Sequence, residues 1–247
     1  MKPIKHFPII LPFLIAVLAG AGFYLFKNKE KQREDIRPVA TESQTDKNSE
    51  PEALPSKVLL DVPFTSQAPF GNWEDVGEQN GCEEASILMA VYWARGEMLT
   101  PETAQEEIKK ISDYHLKNYG HFHDLSNADT LKLLNEYFNY SKARLAENIT
   151  AEDIKRELSG GRVVIVPVNG VKLGNPYYAP PGPVNHKIVI IGYDDATGEF
   201  ITHDSGTSRG EKFRYDYKTL EDSLEDYPTG LHGKFEEKIT SMIVVEK

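Results

Sequence analysis

Three residues, widely separated along the chain, have the types that a nucleophilic hydrolase requires: the lone cysteine Cys82, His186 and Asp204. A thiolate attacks a carbonyl carbon, an imidazole takes up and returns the proton near neutral pH, and a carboxylate fixes the imidazole tautomer. Cys82 stands in Gln79-Asn80-Gly81-Cys82-Glu83-Glu84-Ala85, just where a helically spaced apolar run begins. Free backbone N–H groups and the positive end of a helix dipole favour a thiolate at such a position. A buried structural cysteine is the plainer reading of that residue alone, because free Cys packs as a small hydrophobe. The other two residues favour chemistry. His186 opens a β-rich run after a loop with four prolines, and Asp204 follows the next such run. If Asp194-Asp195-Ala196-Thr197-Gly198 joins the two runs as an antiparallel hairpin, the start of one lies beside the end of the other. Imidazole and carboxylate would then meet.

The elements that must hold these residues follow from periodicity and caps. Residues 82–94 place Ala85, Leu88, Met89 and Tyr92 on one helical face, broadened by Ile87 and Val91. Thr100-Pro101 predicts a helix to about 112, and Ser126 and Thr150, each followed three residues later by Asp, predict helices to about 139 and 159. Beyond Gly160-Gly161 the pattern changes to short β-rich runs at 162–168, 187–193, 199–203 and 238–246, with a helical stretch at 217–225 between the last two. A helical first half packed on an antiparallel β-sheet is an α+β class.

Composition limits what such a domain can serve. The 247 residues are 40% hydrophobic, enough for a core. With a single cysteine, neither an intrachain disulfide nor a multi-cysteine zinc site can be built. No cofactor is expected. Residues 7–26 carry no charge, between Lys2 and Lys5 on one side and Lys27, Lys29, Lys31 and Arg33 on the other, which predicts a transmembrane anchor over 1–26. A cleaved secretory signal is the competing reading. Residues 27–56 are polar and aperiodic and predict a linker. The remaining domain, 57–247, holds 20 Lys and Arg against 31 Asp and Glu, a net charge of −11. That sign excludes phosphate neutralisation as a source of affinity, so no nucleic-acid partner is expected; its plainer meaning is solubility, and its sharper one a mild bias toward cationic ligands. An anchor, a linker and one domain suit a single-pass membrane protein with the domain outside the cytoplasm.

Over most of 58–246 the chain also resembles the papain-like cysteine peptidases related to the bacteriocin-processing, double-glycine-leader peptidases. The resemblance rests on Leu60-Asp61-Val62-Pro63-Phe64-Thr65-Ser66-Gln67, on Gly81-Cys82-Glu83-Glu84-Ala85-Ser86, on Asn185-His186-Lys187-Ile188-Val189-Ile190-Ile191-Gly192-Tyr193-Asp194, and on His203-Asp204-Ser205-Gly206-Thr207-Ser208-Arg209-Gly210 with Tyr215 following. It implies a papain-like fold and hydrolysis of a peptide or protein substrate by Cys82, His186 and Asp204. It also implies an oxyanion donor at Gln67, with Gln79 as the rival. Relatives often carry Gly after the nucleophile and Pro after the acidic residue, where this chain has Glu83 and Ser205. A carboxylate aimed at the thiol would raise its pKa, although neighbours on a helix fan apart by about 100°. Two other functions use the same residues: an inactive peptide- or polymer-binding module, and a thioester-forming acyl transferase.

Two further segments bear on the site. His121-Phe122-His123-Asp124, with His115, offers metal-ligand types without zinc spacing, and reads as a surface loop. Residues 175–183, rich in Tyr and Pro, lead into His186 and are expected to rim the substrate cleft.

Overall fold

The structure, a computed structural model, describes residues 53–233 and 239–247. The expected anchor and all but the last four residues of the expected linker lie outside the described residues. Among the described residues, no helix is long and apolar enough to cross a membrane.

Lys57–Leu59 forms β1, and four helices follow: Val76–Gln79 (α1), Cys82–Arg95 (α2), Pro101–Tyr119 (α3) and Asn127–Phe138 (α4). The caps expected from sequence are formed. Thr100 accepts from the Thr103 N–H with Pro101 in the first turn, and Ser126 accepts from the Asp129 N–H. Helix α3 continues well past the predicted end near 112, because its buried positions Ala104, Ile108, Ile111 and His115 keep the helical period until Gly120 adopts the left-handed conformation. Helix α2 begins differently. Gly81 gives it no side-chain cap, so its first N–H groups are left for other partners.

The remaining elements are Ala143–Glu147 (β2), Ala151–Ser159 (α5), Val163–Val168 (β3), Gly170–Leu173 (α6), His186–Asp194 (β4), Glu199–His203 (β5), Phe213–Asp216 (β6), Tyr217–Ser223 (α7) and Ser241–Val245 (β7). They build one antiparallel sheet in the order β2-β7-β3-β4-β5-β6, with β1 added against β4. Strands β1, β2 and β6 have no counterpart in the sequence reading. They are short and only partly buried, so they lack the apolar signature on which that reading depends.

Both faces of the sheet are covered. Val163, Ile165, Val189, Ile191 and Ile243 pack under α2, α3 and α4, while their neighbours Val164, Val166, Ile188, Ile190 and Val244 pack against Ile154 and Leu158 of α5 and Leu220 of α7. Successive strand residues point to opposite faces, so a sheet buried on both sides needs the unbroken apolar runs seen in β3 and β4. The cover over the nucleophile's helix is therefore only half of the core.

Candidate active site

The β4–β5 hairpin pairs antiparallel, with Val189 opposite His203, and so brings the first residue of β4 beside the residue that follows β5. His186 Nε2 and Asp204 Oδ1 are 2.8 Å apart, and both side chains are buried. Asp204 is held by four further donors. The Gly206 N–H reaches Oδ1 at 3.0 Å, and Oδ2 accepts from Asn175 Nδ2 at 3.0 Å and from the hydroxyls of Tyr178 and Tyr215, each at 2.6 Å. Burial alone would push this carboxyl up, but the imidazole and these hydrogen bonds outweigh it and bring its pKa down to about 2. The group is thus a carboxylate at any physiological pH, and the two tyrosines are pushed up into the protonated form by burial and by its charge. Sequence reasoning noted Tyr215 only as a motif position and missed Asn175 and Tyr178 as partners of Asp204. Gly206 is required beside them, since a Cβ there would lie 2.9 Å from His186 Cε1.

Cys82 occupies the first position of α2 and lines a cleft of about 630 Å³ that is also lined by His186, Gln67, Gln79 and the loop 177–183. The expected rim is therefore in place. The thiol, however, donates to Glu83 Oε2 at 3.1 Å. Helical fanning does not carry this carboxylate away, because its other oxygen is anchored on the far side by the Tyr227 hydroxyl at 2.7 Å and the Leu125 N–H at 3.2 Å. Burial, then the charge and hydrogen bond of Glu83, then the charge of Glu84 push the thiol well above its usual value, and only Lys187 opposes them. Glu84 turns away to Ser112 at 3.1 Å, and burial beside Glu83 pushes its own carboxyl well up. Lys187 is fully buried, its three hydrogens taken by Leu125 O, Asn127 Oδ1 and Thr130 Oγ1 at 2.7–3.0 Å. A lysine inside the apolar run of β4 was the available signal for this buried charge network.

Gln67 reaches the cleft, yet its Nε2 donates to Glu78 O at 3.0 Å and to Gln79 O at 2.7 Å, while its buried Oε1 has no partner. Both amide hydrogens are committed to α1 in this conformation, so neither is free for an oxyanion. The rival, Gln79, donates to Trp73 O at 2.6 Å. The 121–124 segment is a loop, as expected, in which Asp124 accepts from Asn185 at 2.9 Å and His115 Nδ1 lies 2.5 Å from His121 O. Among the described residues, no three or more His, Cys, Asp or Glu are grouped to hold a metal ion.

The family model described as Peptidase C39-like matches residues 59–229, more than half of the chain. The chain belongs to the Peptidase C39-like family. Its membership places it among cysteine peptidases at the family level and agrees with the papain-like resemblance read from the motifs. Among solved structures, this C39-like chain is similar to a protein described as a C39-like peptidase from Bacillus anthracis, with 16% identity and a TM-score of 0.51 over 78% of this chain and 99% of that one. At that identity the likeness shows the fold. It is also similar to xylellain, a cysteine protease from Xylella fastidiosa, with 13% identity over 78% of this chain and 87% of that one, at a TM-score of 0.40 too low to add to the argument. No curated protein matches the C39-like chain.

Proposed function

We propose that the chain hydrolyses peptide bonds with Cys82 as nucleophile, His186 as base and acid, and Asp204 as the group that orients the imidazole. The proposal adds that the domain is held outside the cytoplasm by the apolar segment 7–26. The observation that carries the catalytic part is the His186–Asp204 contact of 2.8 Å, with Asp204 held ionised, in a cleft also lined by the thiol. Asp204 engages Nε2, which leaves Nδ1 to receive the Cys82 proton. On substrate binding the thiol turns from Glu83 to Nδ1, the imidazole takes its proton, and the thiolate attacks the scissile carbonyl carbon. The open N–H groups at the start of α2 face the developing oxyanion. Gln67 contributes there only by releasing a carbonyl of α1. Collapse expels the amine, protonated by His186, and water then hydrolyses the thioester to regenerate the thiol.

A second reading, a peptide-binding module without turnover, is favoured by one observation: the thiol at rest is bonded to a carboxylate that holds it protonated. Alkylation separates the two. In the active reading, iodoacetamide labels Cys82 stoichiometrically above neutral pH, and His186→Ala slows labelling at least tenfold. Equal labelling rates in both proteins remove the catalytic role of His186. A peptide-library digest in the presence and absence of an added amine then separates hydrolysis from acyl transfer.

A further inference from the structure

The cleft that holds Cys82 is lined by two aromatic rings that the hydrolytic chemistry leaves unused, Trp73 and Tyr177. They are 37% and 46% exposed, whereas Trp93, the chain's other tryptophan, is 4% exposed. Large rings left in water inside a concave site mark surface kept for a ligand. Both rings are held in place. Trp73 lies in a turn closed by the Asp75 N–H on Asn72 O at 3.0 Å, and its own carbonyl accepts from Gln79 of α1 at 2.6 Å. Tyr177 packs edge-on against Phe213 of β6 with ring centroids 6.1 Å apart, and the Arg209 guanidinium lies 4.9 Å from its centroid. One ring is thus carried by the helical half and the other by the sheet. Aromatic groups fixed before binding lose little freedom when a ligand covers them, which is the character of a binding hot spot.

The rest of the cleft narrows the kind of ligand. Its carboxylates outside the His186–Asp204 pair are already engaged: Glu83 by the thiol, Tyr227 and Leu125, and Asp124 by Asn185 at 2.9 Å and His232 at 3.3 Å. Among the described residues, no lysine or arginine lines it. A charged side chain would find no free counter-charge there, while an apolar one finds two exposed rings, continued beside Tyr177 by Pro180, Pro181 and Pro183. Tyr177 is also tied to the triad. Its backbone N–H donates to Asn175 Oδ1 at 3.0 Å, and Nδ2 of the same buried amide donates to Asp204 Oδ2 at 3.0 Å. A side chain resting on Tyr177 is therefore held at a set offset from the imidazole that Asp204 orients, and such positioning is what selects one bond over its neighbours.

We infer that Trp73 and Tyr177 form a specificity subsite that takes a bulky apolar side chain of the peptide substrate. The carrier rests on the peptidase reading of the same cleft, but the test is equilibrium binding and needs no turnover. The full chain carrying Cys82→Ser is titrated with the acetylated peptide amide Ser-Ala-Phe-Ser-Phe-Ala-Ser, with the same peptide bearing alanine for both phenylalanines, and with free phenylalanine amide. Tryptophan emission is read with excitation where tyrosine and phenylalanine do not absorb. With Trp93 buried, a change in emission on binding reports Trp73. The phenylalanine peptide is expected to bind at least tenfold tighter than the alanine peptide and than phenylalanine amide, and to shift the emission to the blue. Calorimetry is expected to show Trp73→Ala and Tyr177→Ala each weakening that peptide severalfold, and Tyr177→Phe, which keeps the ring, binding it as the parent does. Equal affinity for the two peptides, binding without an emission change, or unchanged affinity in both alanine variants overturns the subsite. Phenylalanine amide binding as tightly as the peptide overturns the assignment to a peptide side chain. A protein that binds in the expected pattern yet fails the alkylation test retains the subsite and loses only the hydrolysis; one that passes alkylation yet binds both peptides equally loses only the subsite.

Discussion

Glu83 sets the resting state of the thiol, and its effect has a definite sign. In Glu83→Gln the amide oxygen takes over the bonds from Tyr227 and Leu125, which leaves the NH₂ group facing Sγ. A negative charge beside the sulfur is replaced by a donor, so the thiol pKa falls, and each unit of fall raises the thiolate fraction about tenfold below the pKa. The alkylation rate of Cys82 at pH 7 should rise by about that factor or more, and its pH profile should shift toward acid; a slower rate would show that Glu83 assists deprotonation. Asp204 gives the opposite kind of prediction. Its folded pKa of about 2 lies below the unfolded value near 3.9, so the stability it contributes is complete above about pH 4 and is lost as pH falls through 2. The depression corresponds to about 2.6 kcal/mol, most of which is lost by pH 2.5, so urea unfolding at pH 7 and pH 2.5 should show about 2 kcal/mol less acid sensitivity in Asp204→Asn than in the parent protein. At this scale the types of Cys82, His186 and Asp204 were legible because few side chains perform those reactions. The aim of Glu83 and the engagement of Gln67 were not, because spacing fixes where a side chain leaves the backbone, and tertiary neighbours fix where it ends: Leu125 and Tyr227, 42 and 144 residues away, for Glu83, and Glu78 and Gln79, 11 and 12 residues away, for Gln67.

Local signals were strong enough to predict most of the elements. The Thr150–Asp153 capping box forms in both directions although Asp stands where Glu or Gln is preferred, and α5 begins where it predicts. The 194–198 turn likewise fixes the hairpin on which the His186–Asp204 contact depends. Strand β1 could not be read this way, because what admits it is a glycine in another strand: a Cβ at Gly192 would lie 2.2 Å from Val58 O. The helical cover was legible for the face beneath α2 but not for the second face, since an apolar run in β3 or β4 shows burial without showing which helix supplies it. These differences give a prediction that separates stability from chemistry. Thr150→Ala removes the cap of a helix on the face opposite α2 and should cost about 1 kcal/mol in chemical denaturation. The alkylation rate of Cys82 should stay unchanged. Leu88→Ala, in the buried heart of the nucleophile's own helix, should cost about 2–5 kcal/mol.

For the whole molecule, the proposed anchor and the acidic domain pull the chain toward different surroundings, which makes topology measurable. Residues 7–26 are uncharged and long enough at about 1.5 Å per residue to span about 30 Å of hydrocarbon, whereas 57–247 carries a net charge of −11 and belongs in water. Basic residues stand on both sides of the apolar segment, so charge does not assign its orientation, and the domain's side of the membrane must be read directly. Cells producing the full chain should hold it in the membrane fraction through an alkaline carbonate wash. Protease added to intact cells should release a soluble fragment whose amino terminus falls within 27–56, whose carboxy terminus is intact, and which still contains an alkylatable Cys82. A protected chain would place the domain on the inner side and reverse the proposed localisation. A domain found in the medium without protease, beginning shortly after the apolar segment, would make that segment a cleaved signal and leave the site chemistry as argued, because among the described residues the side-chain hydrogen-bond partners of Cys82, His186 and Asp204 and the residues lining their cleft all lie beyond position 66.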